Sequence, residues 1–259
     1  MPRGHPGETC LTTPQGNQIF SWRNKMCDVT VECYGSSEHH MRSIFLDVGA
    51  HNGQTAREVL KPHYTFTDIW CFEPVPAQRA ALHALSTDVR FKVIDFGLSN
   101  RTREAEVYGD NSDMGASLYA NMKKRGNDKV THCKFVSATE FFKDKIYPTD
   151  LIVMKLNCEG SECDILNDLL DSGEASKIAN VLIDFDVQKV PEKAHEEQAL
   201  KERMLREGFK CYSLATEVMV GKTHQDRIAN WLQGLKLEAE ILRPTAPEPR
   251  KRSWFAWRD

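Results

Sequence analysis

The chain has 259 residues, of which 41% are hydrophobic, and this is enough to bury one sizeable core. Its formal net charge of -3 gives no basic footprint, so a nucleic-acid partner is not expected. No apolar run approaches the roughly 20 residues that a membrane span needs, and the first residues lack the apolar core of a signal peptide. We therefore expect a soluble, cytoplasmic protein with no membrane span.

The composition divides the chain into an N-terminal extension (1–40), one α/β domain (41–243) and a tail (244–259). The tail joins a proline-rich linker to a basic and aromatic segment, which is typical of a docking element. It would fold back onto its own domain, touch an acidic surface or contact a second subunit, so a homo-oligomer formed through the tail or the C-terminal helix is one hypothesis. The 8 cysteines include no C-x-x-C pair, so most are expected to be reduced and no metal site is expected.

The first informative segment combines an apolar strand, an acid and a glycine turn. The strand at 44–48 contains Asp47, the turn contains Gly49 and Gly53, and a helical pattern resumes at 55–60. The spacing differs from the G-x-G-x-x-G of dinucleotide sites, which disfavours a dinucleotide-dependent oxidoreductase. A cofactor without phosphates, such as S-adenosylmethionine, suits this turn better; the alternative is the glycine turn of any α/β protein.

The next predicted strand ends in a carboxylate. Glu73 follows an apolar run at 69–72 and lies about one strand-helix-strand unit after Asp47. A carboxylate at this position can accept both hydroxyls of a ribose. Pro74 and Pro76 end the strand and allow a helix to start at about Ala77. The alternative for Glu73 is a solvated acid at a strand end.

The middle of the chain continues to alternate strands and helices. The pattern predicts a polar, glycine-bearing loop at 109–117, and loops of this kind often close over a ligand, although a mobile connection is the alternative. A short helix is predicted from about Thr139. The predicted strands cover 89–96, 104–108, 130–136 and 150–156.

The strand at 150–156 ends in a cluster of polar residues, formed by Lys155, Asn157, Glu159 and Glu162. Gly160 then turns the chain into an amphipathic helix. Ligands of open parallel sheets bind outside the carboxyl ends of the strands, so we expect this cluster to face the same crevice as Asp47 and Glu73. Glu162 could instead serve the start of its helix as a first-turn acid.

Three segments, L-D-V-G-A-H-N-G, C-F-E-P-V-P and V-M-K-L-N-C-E-G-S-E-C-D-I-L, resemble in order and spacing the FkbM family of S-adenosylmethionine-dependent methyltransferases. The resemblance covers about residues 43–186. It implies a Rossmann-like class I methyltransferase fold: a mostly parallel sheet of about seven strands with an antiparallel last strand and helices on both faces. In its C-terminal part we expect a strand at 180–185, a helix at 192–207, a closing hairpin of 209–214 with 217–220, and a helix at about 224–242.

The resemblance also implies which residues bind the cofactor. The turn residues would line its amino acid end: Asp47, Gly49, Ala50, His51, Asn52, Gly53 and Thr55. Glu73 and the adjoining Pro74 would bind the ribose, and the segment around Phe96 and Gly97 would flank the adenine. Ser117 would touch the cofactor or the substrate.

Family members typically methylate hydroxyl groups of sugars or secondary metabolites, so the implied activity is O-methyl transfer. The protein must align the acceptor in line with the methyl group and accept its proton through a carboxylate or histidine. Glu159 is the first candidate, with Lys155 as an orienter, and the alternatives are Asp184, Asp186 and His195.

Asn157 departs from the family, which usually has aspartate at that position. An amide cannot accept a proton at neutral pH, although it can still hydrogen-bond the cofactor or a substrate hydroxyl. The alternative function is therefore a non-catalytic protein of the same fold that binds S-adenosylmethionine or acts as a scaffold.

Overall fold

The computed structural model describes residues 42–85, 87–109, 116–120 and 130–235, together with the backbone of three N-terminal strands. These strands form an antiparallel sheet of their own, in the order β1-β2-β3. Their bounds are Thr9–Thr12 (β1), Gln18–Asn24 (β2) and Val29–Tyr34 (β3).

The centre of the described fold is a six-stranded sheet with the order β12-β11-β10-β4-β5-β6. Every neighbouring pair in it is parallel. Its strands are Ser43–Val48 (β4), Asp68–Phe72 (β5), Phe91–Ile94 (β6), Leu151–Leu156 (β10), Ile178–Ile183 (β11) and Tyr212–Leu214 (β12). The α/β class is thus confirmed, whereas a seventh strand and an antiparallel last strand are not.

The predicted closing hairpin is wrong. Tyr212–Leu214 pairs in parallel with β11, and Ala215–Val218 forms a helical turn instead of a strand. The physical reason is that residues 215–218 form helical hydrogen bonds, so the predicted partner strand at 217–220 does not form in this described segment. Tyr212–Leu214 pairs with β11 in parallel because the helix Glu196–Glu207 lies in the connection between them, and a crossover of this kind returns the chain to the end of the sheet from which the previous strand started.

Helices cover both faces of the sheet, because successive side chains of each strand point to opposite sides. Ile44 and Leu46 belong to one core cluster, which includes helices α3 to α5, whereas Phe45 belongs to a second cluster, which includes helices α1 and α7. The helices are Gln54–Val59 (α1), Pro76–His83 (α2), Ala138–Lys145 (α3), Glu162–Ser172 (α4), Glu196–Glu207 (α5), Ala215–Val218 (α6) and His224–Gly234 (α7).

A separate three-stranded sheet has the order β7-β9-β8, with β7 parallel and β8 antiparallel to β9. An isolated bridge from Tyr108 to Ser117 attaches the short segment 116–120 to this sheet. The strands are Gly97–Ser99 (β7), Arg103–Tyr108 (β8) and Val130–Ser137 (β9).

Several remaining expectations concern the ends of the chain and its cysteines. The predicted C-terminal helix is observed as α7, but its part beyond residue 235, the tail and the tail-mediated homo-oligomer lie outside the described residues. Cys71, Cys133, Cys158 and Cys163 are free thiols, whereas Cys211 is disulfide-bonded. In the described part of the chain, no helix has the length and apolar character that crossing a membrane requires.

Candidate functional site

A cavity of about 890 Å³ opens at the carboxyl ends of β4, β5, β10 and β11. This is the edge of a parallel sheet at which ligands are expected, and the volume lies within the roughly 300 to 1,000 Å³ of small-molecule sites. The cavity brings together most of the predicted site residues. Those that line it are Gly49, Ala50, His51, Asn52, Thr55, Glu73, Pro74, Gly97, Lys155, Asn157, Glu159, Asp184 and Asp186.

The glycine turn forms the floor of the cavity. The backbone N–H groups of Gly49 and Ala50 both donate to the carbonyl oxygen of Phe72, at 3.2 and 3.1 Å, which ties the turn to the end of β5. Gly49 has a φ of +80°, and a Cβ atom there would lie 1.8 Å from the carbonyl oxygen of Asn157. Only glycine is therefore compatible with this close approach to β10.

Asp47 and Lys155 form a buried ion pair directly below the turn. The two residues face each other in register on β4 and β10. The Lys155 Nζ atom lies 3.2 Å from Asp47 Oδ1 and donates to the carbonyl oxygen of Gly49 at 2.9 Å. Asp47 Oδ1 nevertheless has no partner in hydrogen-bond geometry among the described residues. Lys155 therefore supports the turn from below, and its ion pair compensates the buried charge of Asp47.

Glu73 is buried at the end of β5, and backbone groups fix both of its carboxylate oxygens. Oε2 accepts from the N–H of His51 and Oε1 from the N–H of Val75, each at 2.9 Å. Burial raises the pKa of this carboxyl above its ordinary value, and the two backbone hydrogen bonds oppose the rise. Each oxygen has a further lone pair with which it can accept a hydrogen bond from a ligand.

The following residues link the turn to the first helix. His51 has a φ of +50°, and burial lowers the pKa of its imidazole. Asn52 Oδ1 is buried and has no partner in strict hydrogen-bond geometry among the described residues, although the Asn52 side chain interacts with the His51 ring. Thr55 lies in the first turn of α1, and its hydroxyl lies 2.9 Å from the Nε2 atom of His224.

The opposite wall of the cavity carries several carboxylates. Asn157 Nδ2 donates to Asp184 Oδ2 at 2.7 Å, so the ends of β10 and β11 are joined there. Glu159 has a φ of +53°, a left-handed conformation that is unusual for this residue type. Lys189 lies 2.6 Å from Asp186 and 4.0 Å from Glu159. This wall combines proton acceptors with a cation.

Glu162 fixes the loop that follows β10. Its Oε1 atom accepts from the backbone N–H groups of Cys158 and Gly160, at 3.0 and 3.1 Å. The side chain is fully buried, and burial raises the pKa of Glu162 to about 7, although these hydrogen bonds oppose the rise. Glu162 does not line the cavity. It supports the backbone that carries Asn157 and Glu159.

Besides Glu162, five residues named from the sequence do not line the cavity: Asp47, Gly53, Phe96, Ser117 and His195. The Phe96 ring packs against Phe72 and Phe141, at centroid distances of 5.9 and 6.2 Å. The hydroxyl of Ser117 donates to the carbonyl oxygen of Glu159 at 2.6 Å, so it holds the backbone of the cavity wall. His195 immediately precedes α5.

Sequence reasoning missed the C-terminal wall of the cavity, which is formed by Ala215, Thr216, Met219, His224 and Arg227. The only local signal near it was the capping box in which Thr223 and Asp226 exchange hydrogen bonds at the start of α7. That pattern predicts where the helix begins, but it does not indicate which wall the helix builds. Of the residues that the structure describes, no three His, Cys, Asp or Glu side chains converge as metal ligands.

Comparison of the chain with protein-family models, with curated proteins and with solved structures finds no match.

Proposed function

We propose that this protein is an S-adenosylmethionine-dependent O-methyltransferase that acts on a hydroxyl group of a sugar, a glycan or a secondary metabolite. The observation that carries the proposal is Glu73. It is a buried carboxylate held from below by two backbone N–H groups, and it shares one cavity with a glycine turn and with the carboxylate of Asp184. The proposed fold is the Rossmann-like methyltransferase fold of the family that the sequence resembles.

The residues present suit this cofactor. Glu73 retains lone pairs on both oxygens, which is what binding the two hydroxyls of a ribose requires. The Oδ1 atom of Asn52, which lines the cavity at the turn, is an acceptor to which an ammonium group could donate, while the buried Asp47 adds negative charge behind the turn.

The side of the cavity beyond Glu73 is more apolar. Val75, Leu98, Leu118 and Phe135 line it together with Gly97. The flat faces of an adenine ring suit these apolar walls, since ligand pockets combine apolar surfaces with a few convergent polar groups. Gly97 lines this side, as expected, whereas the ring of Phe96 is occupied elsewhere.

When bound, S-adenosylmethionine would supply a methyl group on a sulfonium, which is a good leaving group. The protein then has to hold the acceptor hydroxyl in line and take up its proton, and a positioned base contributes about 10²- to 10⁴-fold. Asp184 and Glu159 both line the carboxylate-bearing wall of the cavity, where the acceptor would bind. Lys155 is engaged by Asp47 and by the Gly49 carbonyl oxygen, so its role is to orient the turn.

The arrangement around Asn157 favours catalysis over simple binding. Its amide donates to Asp184 Oδ2, so a carboxylate stands one strand away from the position at which the family usually carries an aspartate. The second oxygen of Asp184 can accept a substrate proton while Asn157 orients the group. Replacing aspartate by asparagine at 157 therefore does not deprive this wall of a base.

Isothermal titration with S-adenosylhomocysteine tests the proposal. We expect micromolar binding to the wild-type protein and a loss of roughly 10-fold or more in Glu73→Ala, because a hydrogen bond to a charged group is worth about 1.5 to 3 kcal/mol. Glu104→Ala, an exposed carboxylate on β8, is the matched control and should bind normally. Absence of heat with the folded wild-type protein would refute the cofactor assignment.

A further inference from the structure

His224 is the first residue of α7, and the packing of that helix fixes its position. Ile228, Trp231 and Leu232 bury the inner face of α7 in the core cluster that also contains Phe45 and Val59. Thr223 caps the helix by accepting from the N–H of Asp226. A packed helix thus holds the imidazole, which lines the same cavity as Glu73.

The ring of His224 makes one hydrogen bond among the described residues, the 2.9 Å contact between its Nε2 atom and the Thr55 hydroxyl. When that hydroxyl donates to Nε2, the ring proton resides on Nδ1. Nδ1 is then a donor with no hydrogen-bond partner among the residues that the structure describes. Burial lowers the pKa of His224, with Lys155 as the next cause, so the ring is neutral at physiological pH.

The charged groups that act on this ring come from several elements. Lys155 on β10 and Arg227 on α7 disfavour its protonation, whereas Asp47 on β4 and Asp184 after β11 favour it. Thr55 on α1 is the direct contact. Lys155, Arg227 and Asp184 line the cavity together with His224, whereas Asp47 is buried behind the wall, so a ligand group in the cavity meets two cations, one carboxylate and a neutral N–H donor.

We propose that His224 is a cofactor-binding residue whose Nδ1–H group donates to the carboxylate of the amino acid end of S-adenosylmethionine. This inference rests on the proposed function and adds a residue that belongs to the C-terminal wall, outside the segments that carry the family resemblance. Thr55 acts as the positioning residue, since its hydroxyl fixes the tautomer. Arg227, on the same face of the cavity, adds a positive charge near the same carboxylate.

Two amide substitutions distinguish the role of Nδ1 of His224 from that of Nε2. His224→Asn places an amide nitrogen near the position of Nδ1, whereas His224→Gln places one near Nε2 and provides no donor at Nδ1. The ligands are S-adenosylhomocysteine and 5′-methylthioadenosine, which lacks the amino acid end. His83→Gln, an exposed histidine on α2, is the control.

We expect His224→Gln to bind S-adenosylhomocysteine roughly 10- to 100-fold more weakly, with little change for 5′-methylthioadenosine, and His224→Asn to keep most of the affinity. Thermal melting verifies that each variant is folded. Equal weakening for both ligands, or unchanged binding of S-adenosylhomocysteine by His224→Gln, would overturn the role of His224. A wild-type protein that binds neither ligand would instead refute the proposed function, and the inference with it.

Discussion

Replacing Glu162 with glutamine should make the protein more stable at alkaline pH. The folded state holds the pKa of this carboxyl at about 7, against an ordinary value of 4.5. Between these values the folded state binds more protons than the unfolded state, so the free energy of unfolding falls as the pH rises. Since one pKa unit corresponds to about 1.4 kcal/mol, ionising Glu162 costs the wild-type protein about 2 to 3 kcal/mol between pH 5 and pH 8.

Glutamine retains an oxygen that can accept from the N–H groups of Cys158 and Gly160, but it never ionises. The stability of Glu162→Gln relative to the wild type should therefore increase by about 2 to 3 kcal/mol from pH 5 to pH 8. Urea unfolding at four pH values, monitored by the fluorescence of the buried Trp70 and Trp231, measures the free energy of unfolding of both proteins. Glu104→Gln is the exposed control, and parallel pH profiles for wild type and Glu162→Gln would refute the reasoning.

Two further substitutions test the floor of the cavity. Gly49→Ala should destabilise the protein by more than about 2 kcal/mol and abolish binding of S-adenosylhomocysteine, because its Cβ would overlap the Asn157 carbonyl oxygen. Gly173→Ala, with a similar φ of +78° and no atom within 4 Å of the added Cβ, should lose only about 1 to 2 kcal/mol; equal effects in thermal melting would contradict the clash. Lys155→Met should cost about 3 to 5 kcal/mol in urea unfolding, because it leaves Asp47 buried and unpaired. Adding Asp47→Asn should recover much of that loss, and a double variant as unstable as the single one would exclude the ion pair as the cause.

The part of the site that could be predicted from the sequence consists of short segments that end strands. Asp47, Glu73, Lys155 and Asn157 were expected at one edge because the carboxyl ends of parallel strands meet there. Each of these predictions depends on fewer than about ten consecutive residues, so local pattern was sufficient. Glu73, Lys155 and Asn157 line one cavity, and Asp47 lies opposite Lys155 in register on the neighbouring strand.

The rest of the site could not be predicted from the sequence, because it depends on contacts between residues that are distant in the sequence. The position of His224 on the cavity wall is set by the packing of Trp231 against Phe45, at a centroid distance of 6.2 Å, and no local motif encodes that contact. Phe96 was expected beside the ligand because the predicted strand at 89–96 ends there. Its ring instead joins an aromatic cluster with Phe72 and Phe141, since burial among apolar rings determines the side to which it turns.

The end of the central sheet illustrates the same limit. The apolar residues around Tyr212 and Val218 suggested two strands, but short apolar runs do not distinguish a strand from a helical turn. Only the path of the chain through α5 decides that Tyr212–Leu214 enters the sheet in parallel. The prediction of a hairpin between 209–214 and 217–220 failed because Ala215–Val218 is helical.

Ultraviolet crosslinking of S-adenosylmethionine labelled in its methyl group, followed by peptide mapping, tests the central claim most directly. We predict that the label attaches to peptides from the cavity wall, those containing the 47–55 turn, Glu73 or the 155–159 segment, and that excess S-adenosylhomocysteine suppresses it. Label confined to peptides remote from this cavity, or label that S-adenosylhomocysteine does not displace, would contradict the account.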